Sequence, residues 1–245
     1  MMINNKNDSG CLICGRELNY AGKPVTARCA YCGKEAETMI ICPEGHYICD
    51  DCHKYDGLKA IETICLTSDS TDPLKLANQI MDIDFIHMHG PEHHALVPAV
   101  LVTAFKNKTG KLKNEHIAQA IKRGAQIQGG MCGNFGACGA GIGAGVASSV
   151  IFGTNPLSLE DWGTANQMTA NALSAIAKKS GPRCCKRCTW TAIEAAIDFL
   201  EDTTGIKLHK TQTLGSCTHY WRNRQCQGVK CSYFPGGHEN GKSPS

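Results

Sequence analysis

Apolar positions make the first division of this chain. From about residue 57 to residue 210 they recur at three- and four-residue intervals, the period of amphipathic helices, while strand-like alternation is scarce. Asp72 and Pro73 read as a cap and a first-turn proline. They open a helix with Leu74, Leu76, Ile80 and Met81 on its apolar side and an end near Ile83. Pro91 opens the next helix, carrying Leu96, Val97, Val100, Leu101 and Phe105, with a kink expected at Pro98 and a turn over 106–110. Asn114 is the expected cap of a helix reaching about Ile127, with Ile117, Ala118, Ile121 and Ala125 on one face. A glycine-rich run, 129–145, leads into a deeply buried helix that ends near Phe152. Ser158 is the expected cap of a further helix through Trp162, Met168, Leu173 and Ile176, closed by Gly181. Pro182 starts the last one, through Trp190, Ile193, Ala196, Ile197 and Leu200, ending before Gly205. Trp162, Met168 and Trp190 are expected in the core. The fold class expected is mainly α: a helical bundle over 57–210, a small α+β zinc module over 1–56, and a cysteine-containing segment with a flexible tail over 211–245.

The N-terminal part follows a different pattern, set by cysteines. Cys11-x2-Cys14, Cys29-x2-Cys32 and Cys42-x3-His46-x2-Cys49-x2-Cys52 supply eight ligands, enough for two tetrahedral zinc ions. Pairs spaced this closely are metal-ligand spacing, because two thiolates two residues apart can converge on one ion. The order from Cys29 to Cys52 resembles the first six ligands of a RING finger, and the module is expected to be treble-clef or RING-like. That resemblance implies cross-bracing, with one ion on Cys29, Cys32, Cys49 and Cys52 and the other on Cys11, Cys14, Cys42 and His46. Sequential sites, the first four ligands on one ion and the last four on the other, are the alternative. The final pair of a RING is absent and Cys11/Cys14 stands in its place, which speaks against a ubiquitin ligase. His53 reads as an exposed helix residue.

Composition sharpens this picture at one point. A net charge of +3 and 19% charged residues argue for neither nucleic acid nor membrane as a partner. Phe135–Phe152 is too rich in glycine for a membrane span and reads as a buried helix. Sixteen cysteines in 245 residues are the abnormal feature. Met1–Gly10 is polar and has no apolar signal-peptide core, so a cytoplasmic location is expected. There, many thiols mean metal ligands or redox chemistry rather than disulfides, and they suit an anaerobe.

Three groups of reactive residues fall at predicted helix starts: His87, His89, Glu92, His93 and His94; Cys132 and Cys138; and Cys184, Cys185 and Cys188 beside Arg183, Lys186 and Arg187. A helix start offers free amide hydrogens and partial positive charge, which stabilise thiolate. Adjacent Cys184 and Cys185 cannot point the same way in a helix, whereas Cys188 can converge with either. Four histidines in eight residues are seldom core filler, whereas lone His116 and His209 read as surface residues. Farther on, Cys217-x8-Cys226-x4-Cys231, with His219 and His238 nearby, can hold a further zinc or part of an iron–sulfur cluster.

The motifs Gly45-His-Tyr-Ile-Cys-Asp-Asp-Cys-His53, Met88-His-Gly-Pro-Glu-His-His94, Gly136-Ala-Cys-Gly-Ala140 and Gly181-Pro-Arg-Cys-Cys-Lys-Arg187 resemble those of domain of unknown function 5714. The resemblance runs from about Cys11 to Cys231. It implies an anaerobic setting and a partner enzyme, since some members are fused to methyltransferase-like or radical-SAM-like regions, but it brings no established activity. A weaker similarity links Ala137-Cys-Gly-Ala-Gly-Ile-Gly143 and Cys184-Cys185 to redox-associated proteins with a Gly-Cys-Ala-x-x-Gly pattern, which implies a helical, iron–sulfur-binding context.

Three functions follow as expectations. The leading one is a metal-dependent redox or sulfur-handling protein of anaerobic metabolism. In it an iron–sulfur cluster sits on Cys138, Cys184 and Cys188, with Cys132 or Cys185 as fourth ligand, and His87, His89, His93 and Glu92 transfer protons. The next is a non-enzymatic zinc-stabilised adaptor or metal or sulfur carrier. The last is a zinc hydrolase-like site on the histidine loop, with Glu92 activating water. The three reactive helix starts are expected to meet at one pocket.

Overall fold

The computed structural model describes residues 10–237; His238 and the rest of the tail expected to be flexible lie outside them. Among these residues are eight α-helices, a two-stranded sheet and two short 3-10 turns. β1 (Asn19–Arg28) and β2 (Glu35–Ile41) form an antiparallel hairpin, with Arg28 opposite Glu35 and Asn19 opposite Ile41. This confirms the mainly α class with β structure confined to the N-terminal module.

α1 (Asp50–Thr67) joins the two parts. It starts at the last pair of N-terminal cysteines and buries Gly57, Ile61 and Cys65 against the bundle, so it runs unbroken through residue 56, where the composition changes. α2 (Pro73–Met81) begins as its sequence predicts, with Asp72 Oδ1 accepting from the Leu74 and Lys75 amides at 3.0 Å.

α3 (Glu92–Thr109) is the axis of the bundle. Every residue from Glu92 to Phe105 is buried, because helices pack on it from several sides. It is continuous through Pro98, and the segment expected as a turn is its last turn, closed by Gly110 in the left-handed conformation. α4 (Asn114–Gly124) is capped by Lys113, whose amide donates to His116 Nδ1, while Asn114 bonds Lys106 instead. α5 (Met131–Asn134) is a single turn inside the glycine-rich run.

α6 (Gly139–Ile151) lies between α3 and α7. Its glycines explain how closely it does so. A Cβ at Gly139 would meet the ring of His94, and one at Gly143 would stand 2.9 Å from the His94 carbonyl oxygen and 3.1 Å from Pro98 Cδ. α7 (Glu160–Ala177) starts after Leu159, because the Ser158 hydroxyl accepts from Asn155 rather than capping the helix. Met168 is buried as expected, but Trp162 is 53% exposed, since its side of the first turn has nothing packed on it. α8 (Cys185–Thr204) begins later than Pro182, with the Cys184 thiol as its cap. Trp190 is buried on α8, and His209 is exposed. The remaining chain wraps back across α8, seating Leu208 and Tyr233 in the core. No helix among the described residues is long and apolar enough to cross a membrane.

Candidate functional site

The N-terminal ligands form two groups whose donor atoms all lie within 4.8 Å of one another: Cys11, Cys14, Cys42 and His46, and Cys29, Cys32, Cys49 and Cys52. The arrangement is the cross-braced one rather than the sequential one. Local backbone builds it. Cys11, Cys29 and Cys42 each open a tight turn that Gly15, Gly33 and Gly45 close with positive φ. Cys49 and Cys52 come from the start of α1. Sulfur–sulfur separations are 3.5 Å for Cys14–Cys42 and 3.7 Å for Cys32–Cys49. Thiolates on one tetrahedral ion stand just under 4 Å apart, since a Zn–S bond is about 2.3 Å, so both groups fit a metal. Burial pushes the Cys29 thiol up, but the amides of Cys49, Cys32 and Tyr31 outweigh it and bring it to about 6.

A third group consists of His53, His87 and Glu92. Glu92 opens α3 and is fully buried. Its Oε1 accepts from the His87 amide at 3.0 Å and lies 3.2 Å from His87 Nδ1. His53 comes from α1, one turn before Gly57, where the helix passes so near that a Cβ would be 3.0 Å from Glu92 Cβ. That approach hangs the His53 ring over the carboxylate, 4.1 Å centre to centre from the His87 ring. His53 Nδ1 faces Glu92 Oε2 at 3.7 Å, too long for a hydrogen bond, and neither atom has any other partner. Burial pushes the Glu92 carboxyl up, but the imidazoles of His53, His87 and His93 outweigh it and hold the group well below the usual carboxylate range.

The other histidines of the loop surround this group in neutral form. His89 Nε2 donates to Asn223 Oδ1 at 3.3 Å, an assignment supported by the Gln225 amide donating to the same oxygen; Nδ1 is left buried with no partner. Burial, with Arg183 adding to it, pushes His89 down to about 4. His93 Nδ1 donates to the Gly90 carbonyl, leaving its buried Nε2 without a partner. His94 Nδ1 donates to the Ile127 carbonyl.

A cleft of about 800 Å³ opens beside these residues. Residues of all three reactive helix starts line it, among them His89, His94, Cys132, Arg183 and Cys185, together with His53 from α1. Two contacts fix its walls. Asp50 accepts from the Gly129 amide at 2.7 Å, and Lys54 donates to the Ala125 carbonyl at 2.7 Å.

Cys138, Cys184 and Cys188, expected to share one cluster with Cys132 or Cys185 as fourth ligand, are divided between sites. Cys132 is exposed on α5. Cys185 is half-buried at the cleft with the Gly90 amide on its sulfur, and desolvation pushes it up to about 12. Cys138 and Cys188 are neighbours close enough that each shifts the ionisation of the other. The Cys188 thiol, the Ala140 and Gly141 amides and Arg187 outweigh burial and hold Cys138 down to about 6, while Cys188 is pushed up. Cys184 turns the other way, into a separate cavity that it lines with Cys217, His219, Cys226 and Cys231. The split follows from the helix: neighbouring residues project about 100° apart.

Two participants were expected in other roles, His53 as an exposed helix residue and Lys186 as a cation beside the α8 thiols. His53 belongs to the histidine group through the close crossing of α1, and Lys186 is buried beneath the loop, its ammonium donating to the carbonyls of Met81 at 3.1 Å and Ile86 at 3.4 Å. The i+4 spacing of His53 and Gly57 was the only available hint of the first.

Neither the curated proteins nor the solved structures yield a match to this chain. One family model does match, over residues 61–234, which takes in the histidine loop, the glycine-rich run and the cysteines of α8 and the C-terminal segment, and leaves the N-terminal module and His53 outside it. The chain therefore belongs to the family described as "Family of unknown function (DUF5714)".

Proposed function

We propose that this protein is a metal-dependent enzyme whose working ion is held by His53, His87 and Glu92 at the cleft, with zinc in the two N-terminal sites holding the module together. The observation that carries the reading is the facing pair of buried, unpartnered atoms, His53 Nδ1 and Glu92 Oε2. A buried polar atom without a partner costs about 1–3 kcal/mol, and one ion between the two would satisfy both. Two imidazoles and a carboxylate are a donor set for zinc or ferrous iron, and three protein ligands leave a position open for a small ligand, as catalytic sites do. When bound, such an ion supplies Lewis-acid activation of water or of a substrate oxygen.

The chain's own groups take the remaining roles. The His87 amide fixes one carboxylate oxygen and aims the other at His53. Serving as a ligand, Glu92 is not the free base that activates water. The Asn223 contact fixes the His89 tautomer, so its unpartnered Nδ1 is an acceptor and takes the proton-handling role. Metal content of the wild type against His53→Ala and His87→Ala tests the reading. Each variant is expected to lose one metal equivalent and keep the N-terminal pair; unchanged stoichiometry would refute it.

A second reading, thiol redox chemistry, is favoured by the contact between Cys138 and Cys188. Given a two-electron oxidant such as a disulfide, the two sulfurs can join with loss of two protons and two electrons. Mapping disulfides by mass spectrometry in oxidised glutathione tests it; a Cys138–Cys188 link supports the reading, and two free thiols reject it.

A further inference from the structure

We infer that Cys184, Cys217, Cys226 and Cys231 form the ligand set of an iron–sulfur cluster, distinct from the His53–His87–Glu92 centre. The four thiols come from three stretches of chain and line a single cavity, which Met88, Trp190 and Phe234 help wall off from water. Folding brings them there by specific contacts. The Gly215 and Cys217 amides donate to the Ser232 and Tyr233 carbonyls at 2.9 and 2.8 Å, placing Cys217 beside Cys231. The Cys226 amide donates to the Asn223 carbonyl at 3.0 Å, fixing that residue at the exposed rim of the cavity. Cys184 arrives as the cap of α8.

Two features point to a ligand rather than to thiols packed as small apolar groups, and a third bears on which ligand. Backbone amides are aimed at three of the four sulfurs: Arg187 at Cys184 (3.5 Å), Gly228 at Cys226 (3.4 Å) and His219 at Cys217. The N-terminal sites use the same device, with the Cys49 amide 3.4 Å from Cys29 and the Glu44 amide 3.4 Å from Cys42. The second is Arg187, a buried cation at the cavity wall. One of its terminal nitrogens is held by the Ser180 and Pro182 carbonyls at 2.8 and 2.7 Å, and its buried Nε has no acceptor at all. A cluster held by four thiolates is an anion with sulfide acceptors and would meet both its charge and its orphaned donor.

The third feature separates a cluster from a single ion. Both N-terminal groups have all four donors within 4.8 Å, whereas among the described residues no three of these four thiols form such a group. One tetrahedral ion requires that closeness, because its Zn–S bonds are only about 2.3 Å. A cluster of several irons spreads its thiolates farther apart, since no single metal binds all four. With every iron bound by the chain, the cluster would be closed to substrate and would serve to hold electrons or to brace the C-terminal segment.

The test is anaerobic reconstitution of the full chain with ferrous iron and sulfide, read by iron and acid-labile sulfide per chain and by electron paramagnetic resonance after reduction. Sulfide reports only a cluster, so the result is independent of any ion on His53, His87 and Glu92. Equal iron and sulfide are expected, about two or about four of each per chain, since four thiolates hold either a [2Fe–2S] or a [4Fe–4S] cluster. Cys184→Ser should lose most of the sulfide, and its neighbour Cys185→Ser should keep it. Cys226→Ser, at an exposed position, repeats the test where Cys184→Ser disturbs the helix start; unchanged helical circular dichroism reports that either variant is folded. Absence of sulfide in the wild type, or equal retention by the Cys184 and Cys185 variants, would overturn the assignment.

Discussion

Gly143→Ala should weaken the protein although alanine is the better helix former. The new Cβ would lie 2.9 Å from the His94 carbonyl oxygen, 3.1 Å from Pro98 Cδ and 3.3 Å from Val97 Cβ. All three belong to α3, whose backbone and proline ring cannot swing aside. Restoring an ordinary separation of about 3.4 Å therefore requires α6 to back away by about half an ångström. Such a gap forfeits a quarter or more of the dispersion energy of the atoms facing it, and overpacking of this kind costs about 1–3 kcal/mol. Replacing a helical glycine returns about 1 kcal/mol. The net loss is about 0–2 kcal/mol, or a Tm up to about 8 °C lower for a chain of this size. Gly163→Ala is the matched control: it lies on the exposed side of α7 with nothing within 4 Å of its Cβ, so it should raise Tm by about 2–4 °C. Calorimetry on the two variants reads the comparison. If both move Tm in the same direction, the close approach of α6 to α3 is not what the glycines serve.

Three further outcomes are expected. Alkylation of Cys138 by iodoacetamide, followed by peptide mass spectrometry, should rise with pH to half its maximum near pH 6, because its depressed pKa of about 6 makes it thiolate there; an ordinary thiol is half-ionised near about pH 8.5, and such a midpoint would contradict the Cys188 contact. Stripping the N-terminal ions with a chelator should expose residues 10–49 to protease while α3 stays protected, since structural zinc sites hold about 10–16 kcal/mol of their module's folding energy; simultaneous loss of the helical circular dichroism would show that the bundle depends on the module. Asp50→Ala should lower hydrogen-exchange protection at the Gly129 amide about 10- to 100-fold, the equivalent of one hydrogen bond to a charged acceptor; unchanged protection would mean that Asp50 does not anchor the glycine-rich run.

How much of this was legible beforehand depended on how local the cause was. Asp72 capping α2 and the ligand spacing from Cys11 to Cys52 were readable, because each involves partners a few residues apart. So was the incompatibility of Cys184 with Cys185, which follows from helix geometry alone. Caps supplied by backbone or by thiols, at Lys113, Leu159 and Cys184, were misplaced by a residue or more, because Asn114, Ser158 and Pro182 offered the better propensity signal and found other roles. α1 was not drawn as a full helix, since its apolar positions are thinly spread and its start is occupied by the candidate ligands Cys49 and Cys52.

By itself the sequence determined the α class, the buried helix after the glycine-rich run, the eight Cys and His residues of the N-terminal groups and the crowding of reactive groups at three helix starts. These rest on periodicity and short spacing, which survive any arrangement of the elements. Tertiary structure alone decided which sulfur joins which. Glycines in α6 let it approach α3 and carry Cys138 to Cys188. The close crossing at Gly57 brought His53 to Glu92, across a separation of 39 residues that no local pattern records. The return of the C-terminal segment over α8 placed Cys217, Cys226 and Cys231 opposite Cys184. Side chains that neighbour one another in sequence were sent to different sites, and ones far apart were joined, because helix direction and packing set where a side chain ends.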